Sequence, residues 1–114
     1  MLNDVTISAL QAAMHGLSAR QSAISQDISN VNTPYYRARN VTFEGDLKRA
    51  LSAGENPLNV KPTISYSPVE GGLTGNNVNL DAETVASVQT EMSFELALRA
   101  TSDRFSLLNT AIKG

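Results

Sequence analysis

The 114-residue chain contains no cysteine and no tryptophan, and its three Phe and three Tyr make aromatics only 5% of the total. Without cysteine, disulfides, thiolate catalysis and cysteine-ligated zinc or iron–sulfur sites are excluded. The compartment stays open, because cytosolic and exported proteins alike do without it. Few large rings mean little buried area for a small core, so an isolated monomer is poorly anchored. No apolar run approaches the roughly 20 residues of a membrane span. The opening Met1-Leu2-Asn3-Asp4-Val5 has neither a basic n-region nor an apolar h-region, so no cleavable signal peptide is expected there. Nine Lys and Arg oppose eleven Asp and Glu, for a net charge of −2. The basic residues are scattered, which disfavours nucleic-acid binding.

What is present crowds the two ends. Ile7, Leu10, Met14, Leu17, Gln21, Ile24, Ile28 and Val31 alternate spacings of three and four, a heptad seam with one polar interruption at Gln21. They predict a helix over residues 3–31, roughly 42 Å long at 1.5 Å per residue, with Asn3 or Asp4 as its cap. Such a stripe gains free energy only when it leaves water. An intramolecular hairpin satisfies it, and so does packing between subunits; the sequence admits both. Gln21 either fixes register or marks where the seam opens. His15, the only histidine, stands beside the stripe without a ligand set and reads as an ordinary, partly exposed helix residue.

The second helix is expected over residues 81–113, roughly 48 Å long, with Asp81 as N-cap and Leu80 as a hydrophobic staple. Its apolar residues form two rows on different faces. One is Val85, Val88, Met92 and Leu96; the other is Phe94, Leu98, Phe105, Leu108 and Ile112, with Leu107 widening the band. A double stripe implies more than one packing neighbour. Glu91 and Glu95, one turn apart, lack further carboxylates or histidines and read as a solvated face.

Between the helices the sequence turns irregular. Asn30 and Asn32 are expected to close the first helix in left-handed geometry, and Pro34 pushes Thr33 toward extended backbone. Residues 37–43 alternate near their end, and a helical turn is expected over Glu44–Leu51, with Phe43 and Leu47 on one face. Residues 52–80 are rich in Gly, Pro, Asn and Ser. Val60, Ile64, Tyr66 and Val69 support one or two short strands, but Pro62 and Pro68 argue for edge strands or none. Gly71-Gly72 and Gly75-Asn76-Asn77 mark turns or a flexible loop. That run lacks the lysine and context of a phosphate loop, and Asn40-Val41-Thr42 is a glycosylation triplet of the kind that arises by chance. The class is therefore mainly α: two long terminal helices in an antiparallel hairpin or coiled coil, with an irregular or small-β middle segment. Catalytic, cofactor and metal residues are not assigned, and no enzyme activity is expected.

The stretch Ile24-Ser25-Gln26-Asp27-Ile28-Ser29-Asn30-Val31-Asn32-Thr33-Pro34-Tyr35-Tyr36-Arg37-Ala38 resembles the N-terminal signature of the flagellar rod and hook proteins. Asn30, Asn32, Thr33, Pro34, Tyr36 and Arg37 occupy matching places in its Asn-rich turn and Thr-Pro-Gly-Tyr motif. Tyr35 stands at the usual glycine, so a turn needing positive φ there is strained. Arg39 to Glu44, Leu47, the acidic start Asn79 to Glu83 and the tail Phe105 to Gly114 resemble one small proximal-rod member in particular. The resemblance implies one rod-protein domain over residues 1–114: a helix at 3–31, a turn, extended segment and flexible loop at 32–80, and a helix at 81–113. It implies a structural subunit of the periplasm-spanning basal-body rod, the drive shaft for motility, exported by the type III apparatus without signal-peptide cleavage. The implied partners are other copies, other rod proteins, the adaptor between membrane ring and rod, and the export gate, with no nucleic acid, small-molecule ligand or cofactor. Leu10, Met14, Leu17, Ile24, Ile28, Val85, Val88, Met92, Leu96, Phe105, Leu108 and Ile112 are the expected subunit-packing residues. Phe43 and Leu47 match the short aromatic–apolar pattern for docking on the export gate. Alternatives are another small proximal rod protein, or a secreted helical-hairpin adaptor or effector that binds a partner.

Overall fold

The computed structural model describes residues 2–113, with side-chain surroundings from residue 5 onward. Helix α1 spans Leu2–Ser29, strand β1 Arg39–Thr42, α2 Glu44–Ala53, a 3-10 turn Pro57–Asn59, β2 Thr63–Tyr66 and α3 Leu80–Lys113. The molecule is elongated, with extents of 64 × 26 × 14 Å. The mainly α hairpin with a small β middle is as the sequence predicts. Placing the cap at Asn3 or Asp4 falls on side chains outside the described residues.

Helix α1 is the hub. One side packs against α3, and the other carries β1, α2 and the 3-10 turn. Leu17 and Ile24 of the heptad seam are buried, whereas Ile7, Leu10, Met14, Gln21, Ile28 and Val31 are half-covered. A second α1 face was not legible as a stripe, because Ala12, Gly16, Arg20, Ala23 and Asp27 make it up. Phe43 lies flat on Gly16, where a Cβ would run into the ring. Arg20 stacks its guanidinium 5.0 Å from the centre of the same ring. It also donates to Val41 O at 2.7 Å and pairs with Glu44 at 2.7 Å.

The buried hydrophobic set is small: Ala12, Leu17, Ala23, Ile24, Ala38, Val41, Phe43, Ala50 and Ala97. Five of these nine are alanine, so little of the large apolar area is used internally. The sheet is a two-stranded antiparallel ribbon with Arg39 opposite Tyr66 and Val41 opposite Ile64. Its inner strand buries Val41, while every residue of β2 is exposed, the edge position expected beside Pro62 and Pro68.

Two sequence expectations at α3 are corrected. The N-cap is Asn79, not Asp81: its side chain accepts from Ala82 N at 3.1 Å and its carbonyl from Glu83 N at 2.9 Å. Asp81 stands in the first turn instead, where its charge suits the helix dipole. Leu80 is already helical and exposed, so it does not staple the entry from outside.

The Gly16–Phe43 contact yields a prediction. Gly16→Ala is expected to lower stability by about 1–2 kcal/mol, because overpacking outweighs the better helix propensity of alanine. A denaturant midpoint that stays level or rises would show that the ring has room to move.

Candidate assembly surface

The turn after α1 is built from local hydrogen bonds. Asn30 N donates to Gln26 O and Asp27 O, its Nδ2 donates to Gln26 O at 2.8 Å, and its Oδ1 accepts from Thr33 Oγ1 at 3.0 Å. Val31 N to Ile28 O and Thr33 N to Asn30 O tighten the exit. Neither Asn30 nor Asn32 is left-handed, contrary to expectation. The tight right-handed turns carry the chain to Pro34, and Tyr35 takes the positive φ of 62°. The position that the resemblance assigns to glycine is thus left-handed in this chain, with tyrosine in it. Tyr35 N donates to Thr74 O at 2.9 Å. Opposite it stands Gly75, where an added Cβ would come 2.7 Å from the Tyr35 ring. A glycine across the turn makes room for the ring that replaces the usual one.

Of the Gly75-Asn76-Asn77 run only Gly75 belongs to a turn, its N donating to Gly72 O at 2.9 Å, and the two asparagines after it are tied down. Asn76 Nδ2 donates to Asn30 O and Thr33 O at 2.9 and 2.8 Å. Asn77 Oδ1 accepts from Ala38 N at 2.6 Å, while its Nδ2 donates to Ser67 O and Val69 O. These two side chains staple the loop before α3 onto the turn after α1.

Beneath the turn lies Asp27, with no exposed surface. Its carboxylate accepts from Tyr36 OH at 3.0 Å and from Arg39 N at 3.2 Å. Glu83, in the first turn of α3, is pushed up to about 7, first by burial and then by the charge of Asp27. The Tyr36 hydroxyl is raised as well, first by burial and then by its bond to Asp27. On the outer side of α1, the Arg20 hydrogen bonds hold Glu44 down at about 2. That group's contribution is complete above pH 4.5 and is lost as pH falls toward 2. The Glu44 side chain is 61% exposed, so the pair is worth less than its shift implies.

Helix α3 meets α1 through small residues. Thr90, Ala97 and Thr101 are its buried positions. The two threonine hydroxyls return to the carbonyls of Ala86 and Ala97 at 2.7 and 2.8 Å, so the seam buries no orphaned hydroxyl. Gln21 crosses the seam to donate to Ser87 Oγ at 2.8 Å and more weakly to Glu91 at 3.4 Å, which supports a role in register. Its own Oε1 is buried without a partner.

Of the two predicted α3 rows, only Leu108 falls in line with this seam. At 3.6 residues per turn the Val85–Val88–Met92–Leu96 row sits about 155° from the buried strip, and Phe94, Leu98, Phe105 and Ile112 of the other row about 60° away on the other side. All eight side chains are exposed, from 36% at Phe94 to 82% at Ile112, and Leu108 is half-buried. On α1 the allocation is reversed. Leu17 and Ile24 are used inside the chain, and Leu10, Met14 and Ile28 are half-covered. An open groove of about 480 Å³ runs between the helices past Ala13, Leu17, Phe43, Leu47 and Leu51. Phe43 is buried at its floor and Leu47 is half-exposed.

No family model matches the chain. Curated relatives do, over nearly their whole length. Flagellar basal body rod protein FlgB of Borreliella burgdorferi is 30% identical over 118 residues, covering 85% of this chain and 87% of the relative. The FlgB of Bacillus subtilis is 28% identical over 121 residues, covering 96% and 94%. That of Escherichia coli is 24% identical over 119 residues, covering 87% and 86%. The chain belongs to the FlgB family of flagellar basal body rod proteins.

FlgB-family membership makes it a structural subunit of the flagellar basal-body rod. The relatives give no support to the secreted adaptor or effector. In this FlgB-family chain the turn of Asn30, Thr33, Pro34 and Tyr36 is the place where α1, β1 and α3 are joined, and Asn32 stays exposed. Residue patterns missed four participants. Asp27 is a lone charge within a polar stretch, Asn76 and Asn77 lie in a run that reads as linker, and Gly16 is hidden in the helical pattern. A glycine in a helix interior was the one available signal.

Tyr35→Gly is expected to stabilise the FlgB fold by a few tenths to about 1 kcal/mol. Relief of the left-handed strain is partly offset by the freer unfolded chain. Tyr35→Val, β-branched at positive φ, is expected to destabilise. Thermal midpoints of the two variants in the opposite order would contradict this account of the turn.

Proposed function

We propose that this chain is a proximal-rod subunit, polymerising through its terminal helices, with α3 supplying most of the contact. The observation that carries the reading is the apolar surface of α3. Its internal partner takes only the Thr90–Ala97–Thr101 strip and leaves two rows of large side chains in water. Exposed apolar rows on both sides of one helix suit a helix that sits between neighbours. Contacts of this heterologous kind propagate into filaments. Met92, Leu96, Val85 and Val88 would meet one neighbour, and Phe105 and Ile112, with Leu108 at the edge, another. Leu10, Met14 and Ile28 add what α3 leaves uncovered, while Leu17 and Ile24 act indirectly by holding the hairpin.

The neighbours proposed are other copies of the chain, other rod proteins and the adaptor between membrane ring and rod. The chain would act as one rod-protein domain, reaching the periplasm through the flagellar type III apparatus without signal-peptide cleavage. Phe43 and Leu47 would be read by the export gate in the unfolded chain, since the fold buries Phe43 against Gly16.

The packing reading is tested with Met92→Glu combined with Leu96→Glu in a motile host lacking its own copy. Both positions are exposed, so helicity and cellular level are expected to match the parent while swimming and rod formation are lost. Normal swimming would sink the proposal. The gate reading has its own test. Phe43→Ala is expected to reduce export several-fold at unchanged cellular level, and undiminished export would remove Phe43 from that role.

A further inference from the structure

Charge is divided along α3. Residues 80–95 carry Asp81, Glu83, Glu91 and Glu95 and no base, whereas residues 96–113 carry Arg99, Arg104 and Lys113 against Asp103 alone. At 3.6 residues per turn, Asp81, Glu91, Glu95, Arg99 and Lys113 share one stripe, about 150° round the helix from the Thr90–Ala97–Thr101 strip. The stripe lies between the two apolar rows, on the side turned away from α1. All five side chains are exposed. Asp81, Glu95, Arg99 and Lys113 form no ion pair among the described residues, although Glu95 and Arg99 stand one turn apart.

The acidic and basic halves of one straight stripe cannot meet within a single chain, but they can meet on a second copy. A parallel shift of about 18 residues is five whole turns, so it brings each side chain back to the same face. It sets Arg99 level with Asp81 of the next copy and Lys113 level with Glu95, and no other parallel shift sets both bases of the stripe level with its acids. The apolar rows agree with it. Phe105 comes level with the interval between Val85 and Val88 of the next copy, and Ile112 with the interval between Met92 and Leu96. Side by side, parallel helices present opposite flanks to each other, so the Phe105–Ile112 row of one meets the Val85–Leu96 row of the other. An antiparallel pair also matches the charges, Arg99 with Glu95 and Lys113 with Asp81. It sets Val85, Val88 and Met92 against Asp103, Ser106 and Thr110, however, and it closes on a dimer.

We propose, on the reading that α3 is the assembly surface, that successive copies pack their α3 helices parallel and displaced by about 27 Å, the basic half of one against the acidic half of the next. The apolar rows supply the burial. The exposed ion pairs add little affinity and fix the displacement, because every other shift leaves them unmatched or sets like charges together. The contact is heterologous, so each copy offers the same acidic half to a further one and the series stays open.

The test is compensating charge reversal in a motile host lacking its own copy. Asp81→Arg and Arg99→Asp are each expected to cut swimming several-fold at unchanged cellular level, and the two together are expected to restore it. A second readout uses the absence of cysteine. Asp81→Cys combined with Arg99→Cys places two thiols about 27 Å apart on one helix, too far to bridge within a chain. Oxidation of assembled rods is expected to give a ladder of dimers, trimers and higher species, and neither single cysteine is expected to go beyond uncross-linked chain. Single reversals that swim normally would overturn the displacement, as would single reversals that the double variant does not rescue, or rods that cross-link only to dimers or not at all. Rescue of Arg99→Asp by Glu95→Arg instead would establish the antiparallel pair. In each of these cases loss of swimming in the Met92→Glu, Leu96→Glu variant would leave α3 as the assembly surface, and normal swimming there would remove that reading too.

Discussion

The carboxylate of Asp27 has no contact with solvent, and three other parts of the chain are placed around it. Tyr36 reaches it from the turn and Arg39 N from the start of β1, and the first turn of α3 brings Glu83 near enough to feel its charge. Removing a carboxylate from water is costly, so its position is acceptable only while these donors stay in place. The requirement fixes where the chain re-enters after α1 and where α3 begins. A core of four large apolar residues and five alanines would not specify that geometry by itself.

Around this node the chain divides its apolar residues between two uses. Helix α1 spends Leu17 and Ile24 inside and carries Phe43 on Gly16. Helix α3 gives small residues to the hairpin and keeps its large ones outside. Threonine hydroxyls bonded to their own helix let two backbones approach without leaving orphaned donors. The same choice leaves Val85, Val88, Met92, Leu96, Phe105 and Ile112 for surfaces beyond the chain. For a rod subunit the proposed consequence is mechanical: a thin internal core provides identity and register, and assembly would provide the burial.

The turn motif shows how a departure from a pattern is absorbed. Tyrosine at a left-handed position costs about 1 kcal/mol or more. The backbone keeps the geometry because Tyr35 N bonds Thr74 O and Gly75 leaves room for the ring. The compensating residue lies forty positions away in sequence, in a loop that composition alone marks as linker.

The linear pattern of apolar residues determined that there are two long helices, where they run and that the double stripe of the second exceeds what one hairpin can bury. Periodicity and turn residues are local properties, and helices report them directly. The sequence also carried the turn motif, the edge strand at Ile64–Tyr66 and the excess surface of α3. Only the tertiary structure decided which residues close the hairpin. The small strip of Thr90, Ala97 and Thr101 carries no hydrophobic signal, and the predicted rows proved to flank it. The Asn76 and Asn77 staples join positions up to 46 residues apart. Their partners are polar groups whose meaning depends on being brought together out of water, and no spacing along the chain records that.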